Sequence, residues 1–372
     1  MYPSIMRYQW RTIVNVILIL LTLIATHAAD PAGTKRVEEV EDEISYVQSL
    51  MLQTPPLAKL QSEYQDIEVY ESSHFGNVLL LDECLQLTER DAPHYNEMLA
   101  HVPMMEYLAL ALDSESDSDS VGNDNDHIEL EQEQELLRVL VLGGGDGYVV
   151  SELLKYPSIE RIDHVELDSG VIDVSKKFFG WTNAWEHEKV NLIIGDGAEF
   201  VKEKVQTGEQ YHVIIQDASD PFYIDSDGEV VTLPSHVLYE DSHFQMMHQL
   251  LKEKNGVLVF QAETYNIPSN MEEIRKWRIS LEKIGFQKVR YGSIAIPTYP
   301  TGQIGFFVSH ARDGVSESKM VCRDTDSDLC GNDNSFKNDM DNMSWMNWGV
   351  IWKTFKELDG KTKYYHPRIH RR

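Results

Sequence analysis

Leu136-Leu137-Arg138-Val139-Leu140-Val141-Leu142-Gly143-Gly144-Gly145-Asp146-Gly147-Tyr148 is the stretch on which the fold turns. Its first seven residues are apolar except for Arg138, as in a central strand buried on both faces. The glycines let the backbone turn tightly and approach a ligand closely, and Tyr148 to Lys155 then takes up helical spacing. The spacing is not GxGxxG, which favours a nucleoside site over a dinucleotide pyrophosphate cradle.

Working outward, Arg161 to Leu167 reads as a second strand, followed by a helix from Val171 to Phe179. Val190 to Ile194, Tyr211 to Gln216 and Gly256 to Gln261 supply further strands. Alternation at this spacing predicts a parallel sheet with helices on both faces. Upstream, Ile67 to Tyr70 and Asn77 to Leu81 flank the turn His74-Phe75-Gly76-Asn77, a small β element, and Arg90 to Leu110 has helical spacing. The fold class is therefore α/β: a Rossmann-like (methyltransferase-type) domain preceded by a small N-terminal β domain. The expected organisation places the N-terminal β domain and linking helix at 40–110 and the Rossmann-like catalytic domain at 136–310.

The 372 residues are 42% apolar and 25% charged, an ordinary globular composition. Lys plus Arg number 33 against 61 Asp plus Glu, a formal charge of -28. Such a surface repels nucleic acid and anionic lipid, and suits a cationic small-molecule partner. Three cysteines are too few for a disulfide scaffold, and no Cys/His cluster proposes a metal site. Much of the acid is local. Residues 111–135 hold ten acidic residues between Asp113 and Glu135, with no Lys or Arg, and read as a disordered insertion. Residues 311–342 read as a second acidic loop. Asp324, Asp326 and Asp328 have calcium-like spacing there, but Leu329 stands where an EF-hand loop needs glycine. Cys322 and Cys330 could pair if the chain is exported, and Asn342-Met343-Ser344 is a lone glycosylation sequon. Residues 343–372 read as a helical tail, with Trp345, Trp348 and Trp352 at helical spacing.

Residues 1–29 stand apart. Arg7 and Arg11 precede an apolar run from Ile13 to Ala25, and small residues follow, the pattern of a secretory signal peptide. An uncleaved anchor or an organellar presequence has similar features, so the expected address is the secretory pathway, a membrane or an organelle.

Acidic side chains recur at successive strand ends: Glu166, Asp196 in Gly195-Asp196-Gly197, and Asp217 and Asp220 in Asp217-Ala218-Ser219-Asp220-Pro221. Ligands of open α/β sheets bind at those carboxyl ends. Glu166 can accept both hydroxyl hydrogens of a ribose, and Asp196 an adenine amino group. With Asp146 inside the glycine loop, such a cluster would repel the carboxylate of S-adenosylmethionine and welcome a ligand carrying only ammonium groups.

From Ser62 to Phe307 the chain resembles the spermidine synthases, the polyamine aminopropyltransferases. The matching segments are Tyr64-Gln65-Asp66-Ile67, Gly76-Asn77-Val78-Leu79-Leu80-Leu81-Asp82, Gln86-Leu87-Thr88-Glu89-Arg90-Asp91 and Glu97-Met98-Leu99-Ala100-His101. They continue in the glycine loop, Val165-Glu166-Leu167-Asp168, the Gly195 and Asp217 segments, and Pro297-Thr298-Tyr299-Pro300-Thr301-Gly302-Gln303. The resemblance implies transfer of an aminopropyl group from decarboxylated S-adenosylmethionine, a co-substrate rather than a cofactor, to putrescine. It also implies a homodimer. Carried over by position, Gln65, Asp146, Glu166, Asp196 and Gly197 would hold the nucleoside, and Asp146 with Asp220 the aminopropyl ammonium. Asp217 would be the base. Tyr95 and Tyr299 would line the diamine channel, and Gln261 would sit beside the reacting nitrogen.

Asn96 stands where the family usually has glutamine, shortening a nucleoside contact by one methylene. Ala218 replaces a common serine and Ala262 a common glycine. Phe222 to Thr232 lengthen the loop that covers the site, and the C-terminal stretch ends where family members normally continue. A longer lid leaves room for a longer acceptor, giving spermine or thermospermine. A non-catalytic polyamine-binding paralogue is a different reading, against which the retained Asp217 and Tyr95 argue. A methyltransferase comes third, disfavoured by the acidic cluster.

Overall fold

The structure, a computed structural model, describes residues 32–116, 136–224, 230–311 and 351–353. The expectations for residues 1–29, for 117–135 and for 312–342, with the Cys322/Cys330 pair, the aspartate trio and the sequon, lie outside the described residues.

The N-terminal unit is a five-stranded antiparallel meander in chain order: β1 (Thr34–Glu41), β2 (Tyr46–Gln61), β3 (Asp66–Ser72), β4 (Gly76–Leu81) and β5 (Cys84–Thr88). It begins six residues ahead of the expected boundary at 40, because β1 pairs along its whole length with β2, Thr34 opposite Gln53. Pro55 and Pro56 fall in the stretch between Gln53 and Ala58 where the β2–β3 register shifts, the place a sheet tolerates residues with no N–H to give. Helix α1 (Ala92–Ser116) then crosses to the second unit. It runs six residues past the expected end at Leu110, into the acidic stretch.

The second unit is an eight-stranded sheet with β6 (Leu137–Gly143), β7 (Ile159–Glu166), β8 (Val190–Ile194), β9 (Val213–Asp217), β12 (Val257–Ala262), β13 (Gln287–Ala295), β14 (Gln303–His310) and β15 (Ile351–Lys353). Its order is β15-β13-β14-β12-β9-β6-β7-β8. The five strands from β12 to β8 pair in parallel, and β14 runs antiparallel to β12. The helices are α2 (Tyr148–Leu153), α3 (Ser169–Phe178), α4 (Gly197–Thr207), α5 (Asp241–Leu251) and α6 (Pro268–Ile284). Central β6 buries Val139, Leu140, Val141 and Leu142 completely, alternately toward one face with α1 and α2 and toward the other with α4 to α6. That two-sided burial is why the strand reads as a near-continuous apolar run. The expected helical tail is corrected at its described residues: Ile351–Lys353 is a strand, paired with Tyr291, Gly292 and Ser293 of β13. A β-branched and an aromatic residue beside an open sheet edge favour pairing over a helix.

A third apolar cluster joins the two units. Ile67, Val69, Leu79 and Leu87 of the meander pack on Val171 and Val174 of α3. Each fully buried aliphatic there stabilises the junction by about 1.5–3 kcal/mol. No described helix is long and apolar enough to cross a membrane.

Candidate active site

Strand order reverses between β6 and β9, the point at which an open α/β sheet offers a crevice. Gly143, the last residue of β6, is the register partner of Asp217, the last of β9, and Gly144 N donates to Asp217 O at 2.9 Å. A side chain at Gly143 would bring its Cβ within 2.1 Å of that carbonyl oxygen, so only glycine permits this approach. The glycine loop is thus fixed against the strand that carries the expected base.

Three carboxylates meet here. Glu166 closes β7, accepts from Asp168 N at 2.9 Å, and lies so near Gly145 that a Cβ there would stand 2.7 Å from its Oε2. Asp146 accepts from Tyr148 N at 2.7 Å. Asp217 accepts from the Tyr95 hydroxyl at 2.6 Å. Burial, and then the charge of Asp217, push the Asp146 carboxyl up to about 8. Burial lifts Glu166 to about 7. Burial also raises Asp217, to about 6, while the hydrogen bond from Tyr95 opposes the rise. None of these carboxylates is in an ion pair among the described residues, so a cation bound between them would meet no competing partner and would favour their ionised forms.

Deeper along the same edge, Gln261 Nε2 donates to Asp220 Oδ1 at 2.9 Å, and the Tyr239 hydroxyl donates to Gln261 Oε1 at 3.0 Å. The Tyr299 hydroxyl donates to Glu263 Oε2 at 2.8 Å. Asp220 and Glu263 are themselves hydrogen-bonded, and burial followed by the Asp220 charge holds the Glu263 carboxyl well above the usual range. Sequence reasoning passed over Glu263 and Tyr239. Glu263 follows β12 as Asp217 ends β9, so the strand-end rule that found one points to the other.

The remaining site residues divide. Gln65 reaches the crevice at second hand: its Nε2 donates to Asp168 Oδ2 at 2.9 Å, and Ser62 Oγ to the same oxygen at 2.6 Å. Asp168 N in turn donates to Glu166 Oε1, so the meander supports the Glu166 carboxylate across the domain junction. Asp196 caps α4 with Oδ1, accepting from Ala198 N at 2.8 Å, at the exposed end of the helix that begins with Gly197. Asn96 is fully buried; its Nδ2 donates to Ala92 O at 3.0 Å, and its Oδ1 has no hydrogen-bond partner among the described residues.

The lengthened lid is a hairpin, β10 (Phe222–Ile224) paired antiparallel with β11 (Val230–Thr232). Its base is closed: Leu233 N donates to Pro221 O at 2.9 Å and Ser235 Oγ to Asp220 O at 2.5 Å. The two paired strands thus spring from a base anchored at Asp220. No group of three or more His, Cys, Asp or Glu among the described residues is arranged to hold a metal ion.

Two expected results follow from the titrating groups. In Tyr95→Phe the Asp217 carboxyl loses the donor that holds it down. Its ionisation moves above about 6, and the acid limb of the kcat/KM profile shifts to higher pH; an unmoved limb would separate Tyr95 from the base. Secondly, Asp146, Glu166 and Asp217 are raised from an unfolded value near 4, so the folded state binds the extra protons. Their contribution to stability is fully present below about pH 4 and is lost as pH rises through 6 to 8. The thermal midpoint of the ligand-free protein should fall by a few degrees, about 2–4 °C per kcal/mol, between pH 5 and pH 8.5. A saturating cationic ligand should flatten that slope.

Comparison with known proteins agrees with this geometry. The family described as spermine/spermidine synthase domain matches residues 92–319, and that described as spermidine synthase tetramerisation domain matches residues 57–89. Spermidine synthase of Schizosaccharomyces pombe is 34% identical over 266 residues, covering 70% of this chain and 74% of that protein. Spermidine synthase of Dictyostelium discoideum is 33% identical, covering 67% and 72%. Putrescine N-methyltransferase 2 of Nicotiana attenuata is 35% identical, covering 67% of this chain and 56% of the relative, so the chain spans little more than half the length of that protein. A crystal structure of spermidine synthase in complex with the transition-state analogue AdoDATO superposes with a TM-score of 0.59 at 24% identity, covering 76% of this chain and 82% of the other.

Proposed function

Because the chain belongs to the spermine/spermidine synthase family, we propose that it transfers the aminopropyl group of decarboxylated S-adenosylmethionine to putrescine, giving spermidine and 5′-methylthioadenosine. The observation that carries this reading is the row of carboxyl groups Asp146, Asp217, Asp220 and Glu263, each raised by burial and none in an ion pair among the described residues. A donor with an ammonium and no carboxylate, followed by a diamine, neutralises that row.

The roles divide along the crevice. Glu166, positioned by Asp168 and Gln65, takes the ribose hydroxyls, and Asp196 with Gly197 the adenine. Asp146 meets the aminopropyl ammonium. The far ammonium of putrescine lies against Asp220 and Glu263, with Gln261, Tyr239 and Tyr299 completing its shell. At neutral pH an alkylammonium is almost wholly protonated, its pKa being near 10. Asp217, its Oδ1 fixed by Tyr95, orients the near amine and takes its proton as the nitrogen lone pair attacks the methylene carbon on sulfur. The C–S bond breaks and its electron pair returns to sulfur. The leaving group is a neutral thioether and needs no acid, so in-line placement supplies much of the remaining acceleration.

Methylation of putrescine is the second reading, favoured by the similarity to proteins named putrescine N-methyltransferases. It shares the diamine end of the crevice and differs at the donor end, where a methionine carboxylate would lie near Asp146. Acceptor choice is tested by offering the protein decarboxylated S-adenosylmethionine with putrescine or with spermidine and identifying the polyamine by mass spectrometry. Spermidine from putrescine is expected. Product from spermidine alone would move the assignment to the longer-acceptor enzyme and implicate the β10–β11 hairpin. Tight binding of both ligands without product would leave the polyamine-binding paralogue.

The match of residues 57–89 to a tetramerisation domain supports self-association through the meander, and sedimentation would distinguish the expected homodimer from a larger assembly. The basic flank and apolar run of residues 1–29 support delivery to the secretory pathway, a membrane or an organelle. Glycosidase sensitivity of the sequon at Asn342 would report a lumenal address.

A further inference from the structure

Two tryptophans hold the backbone of the glycine loop, one directly and one through a histidine. Trp181 precedes and Trp185 lies within a short 3-10 helix, Thr182–Glu186, and neither takes part in any chemistry assigned above. Trp181 Nε1 donates to the carbonyl of Asp146 at 2.9 Å. Its ring packs on Phe179 and Tyr148, with centroids 5.2 and 4.8 Å away. Trp185 Nε1 donates to His164 Nδ1 at 2.8 Å, the two ring planes within 6° of parallel. An indole N–H can only donate, so His164 Nδ1 must accept and its proton resides on Nε2. That nitrogen lies 2.7 Å from Gly143 O and therefore donates to it. The Trp185 ring also lies against Gly147, where an added Cβ would meet Cζ2 at 2.6 Å.

The carbonyls of Gly143 and Asp146, at the two ends of the loop, are thus both tied to this one segment, directly by Trp181 and through His164 by Trp185. On the opposite side the loop carries the Asp146 carboxylate and abuts Asp217 and Glu166. We propose that Trp181, Trp185 and His164 form a clamp whose role is to position the Asp146 carboxylate for the ammonium-bearing donor. They are positioning residues, since each acts through a loop carbonyl, Trp181 on Asp146 O and Trp185 through His164 on Gly143 O. The inference rests on the aminopropyl-donor reading for the identity of the ligand, and on hydrogen bonds alone for the clamp. Loop amides of Gly144 and Gly147 are themselves bonded, to Asp217 O and to Gly144 O at 2.9 Å each, so their exchange with solvent reports how firmly the loop is held.

The test uses the full chain with Trp181→Phe, which keeps a ring and removes the donor, His164→Leu, which breaks the relay, and His164→Gln, whose amide can both accept and donate. Amide hydrogen exchange of residues 143–148 is measured without ligand, and affinity for decarboxylated S-adenosylmethionine by calorimetry. Trp181→Phe and His164→Leu should each exchange about tenfold faster in the loop and bind the donor about tenfold more weakly, the size of one lost hydrogen bond. His164→Gln should stay within about twofold of the parent on both. Loop exchange unchanged in Trp181→Phe and His164→Leu would overturn the clamp, as would His164→Gln behaving like His164→Leu, which would reduce the relay to packing. If the parent protein fails to bind the donor, the functional reading falls, and the exchange measurement still decides the clamp.

Discussion

Asp217→Asn should lower turnover by about 100- to 10,000-fold, the range of a positioned general base, with the KM for the donor little changed. The asparagine keeps the size of the side chain and can still accept from Tyr95, so the 2.6 Å contact survives. It cannot take a proton. The chemistry then rests on the small fraction of amine already neutral, and the rate of the variant should climb with pH toward the amine's own pKa near 10. A variant within a few-fold of the parent at neutral pH would mean that Asp217 serves only to bind. The base would then have to be sought among Asp146, Asp220 and Glu263.

Asp146→Asn should act on the other substrate. Losing a charge-assisted hydrogen bond to an ammonium costs ~1.5–3 kcal/mol, so affinity for decarboxylated S-adenosylmethionine should fall roughly 10- to 150-fold while the KM for putrescine moves little. The same change removes the charge nearest a methionine carboxylate. Discrimination against S-adenosylmethionine should therefore narrow by more than the loss of donor affinity alone. Separate KM values for the two donors measure this directly, and equal losses for both would place the ammonium elsewhere. Asp146, pushed up to about 8, is still protonated where Asp217 ionises at about 6, so the acid limb of the profile should stay in place, unlike the shift expected for Tyr95→Phe.

Leu137–Gly143 and Val257–Ala262 were legible because they are buried on both faces, and they lie within a residue or two of the runs read from the sequence. The edge strand Val190–Ile194 was legible from its β-branched and aliphatic residues alone. The half-buried β2 was not, since its burial alternates irregularly and two prolines interrupt it. The tail strand Ile351–Lys353 was misread as helix, its tryptophans spaced by three and four in a segment whose described part pairs with an edge. At the site, Asp146, Glu166, Asp217 and Asp220 could be found by asking what stands at each parallel strand's carboxyl end. Glu263 satisfies the same rule and was passed over beside Ala262. What no spacing reveals is pairing across the fold: Tyr95 is 122 positions from Asp217, and only the crossing of α1 over the sheet brings them to 2.6 Å. Asn96 shows the converse. Its neighbour Tyr95 reaches Asp217, while the shorter Asn96 amide gives its nitrogen to Ala92 O and leaves Oδ1 unpaired among the described residues.

The central claim is that an acidic crevice selects a donor by the absence of a carboxylate. The most direct measurement supplies the full chain with putrescine and an equimolar mixture of S-adenosylmethionine and its decarboxylated form, and identifies the products by mass spectrometry. The account predicts spermidine and 5′-methylthioadenosine, with S-adenosylmethionine left intact. N-Methylputrescine and S-adenosylhomocysteine would contradict it, and would mean that Asp146 and its neighbours tolerate the carboxylate they are here argued to exclude.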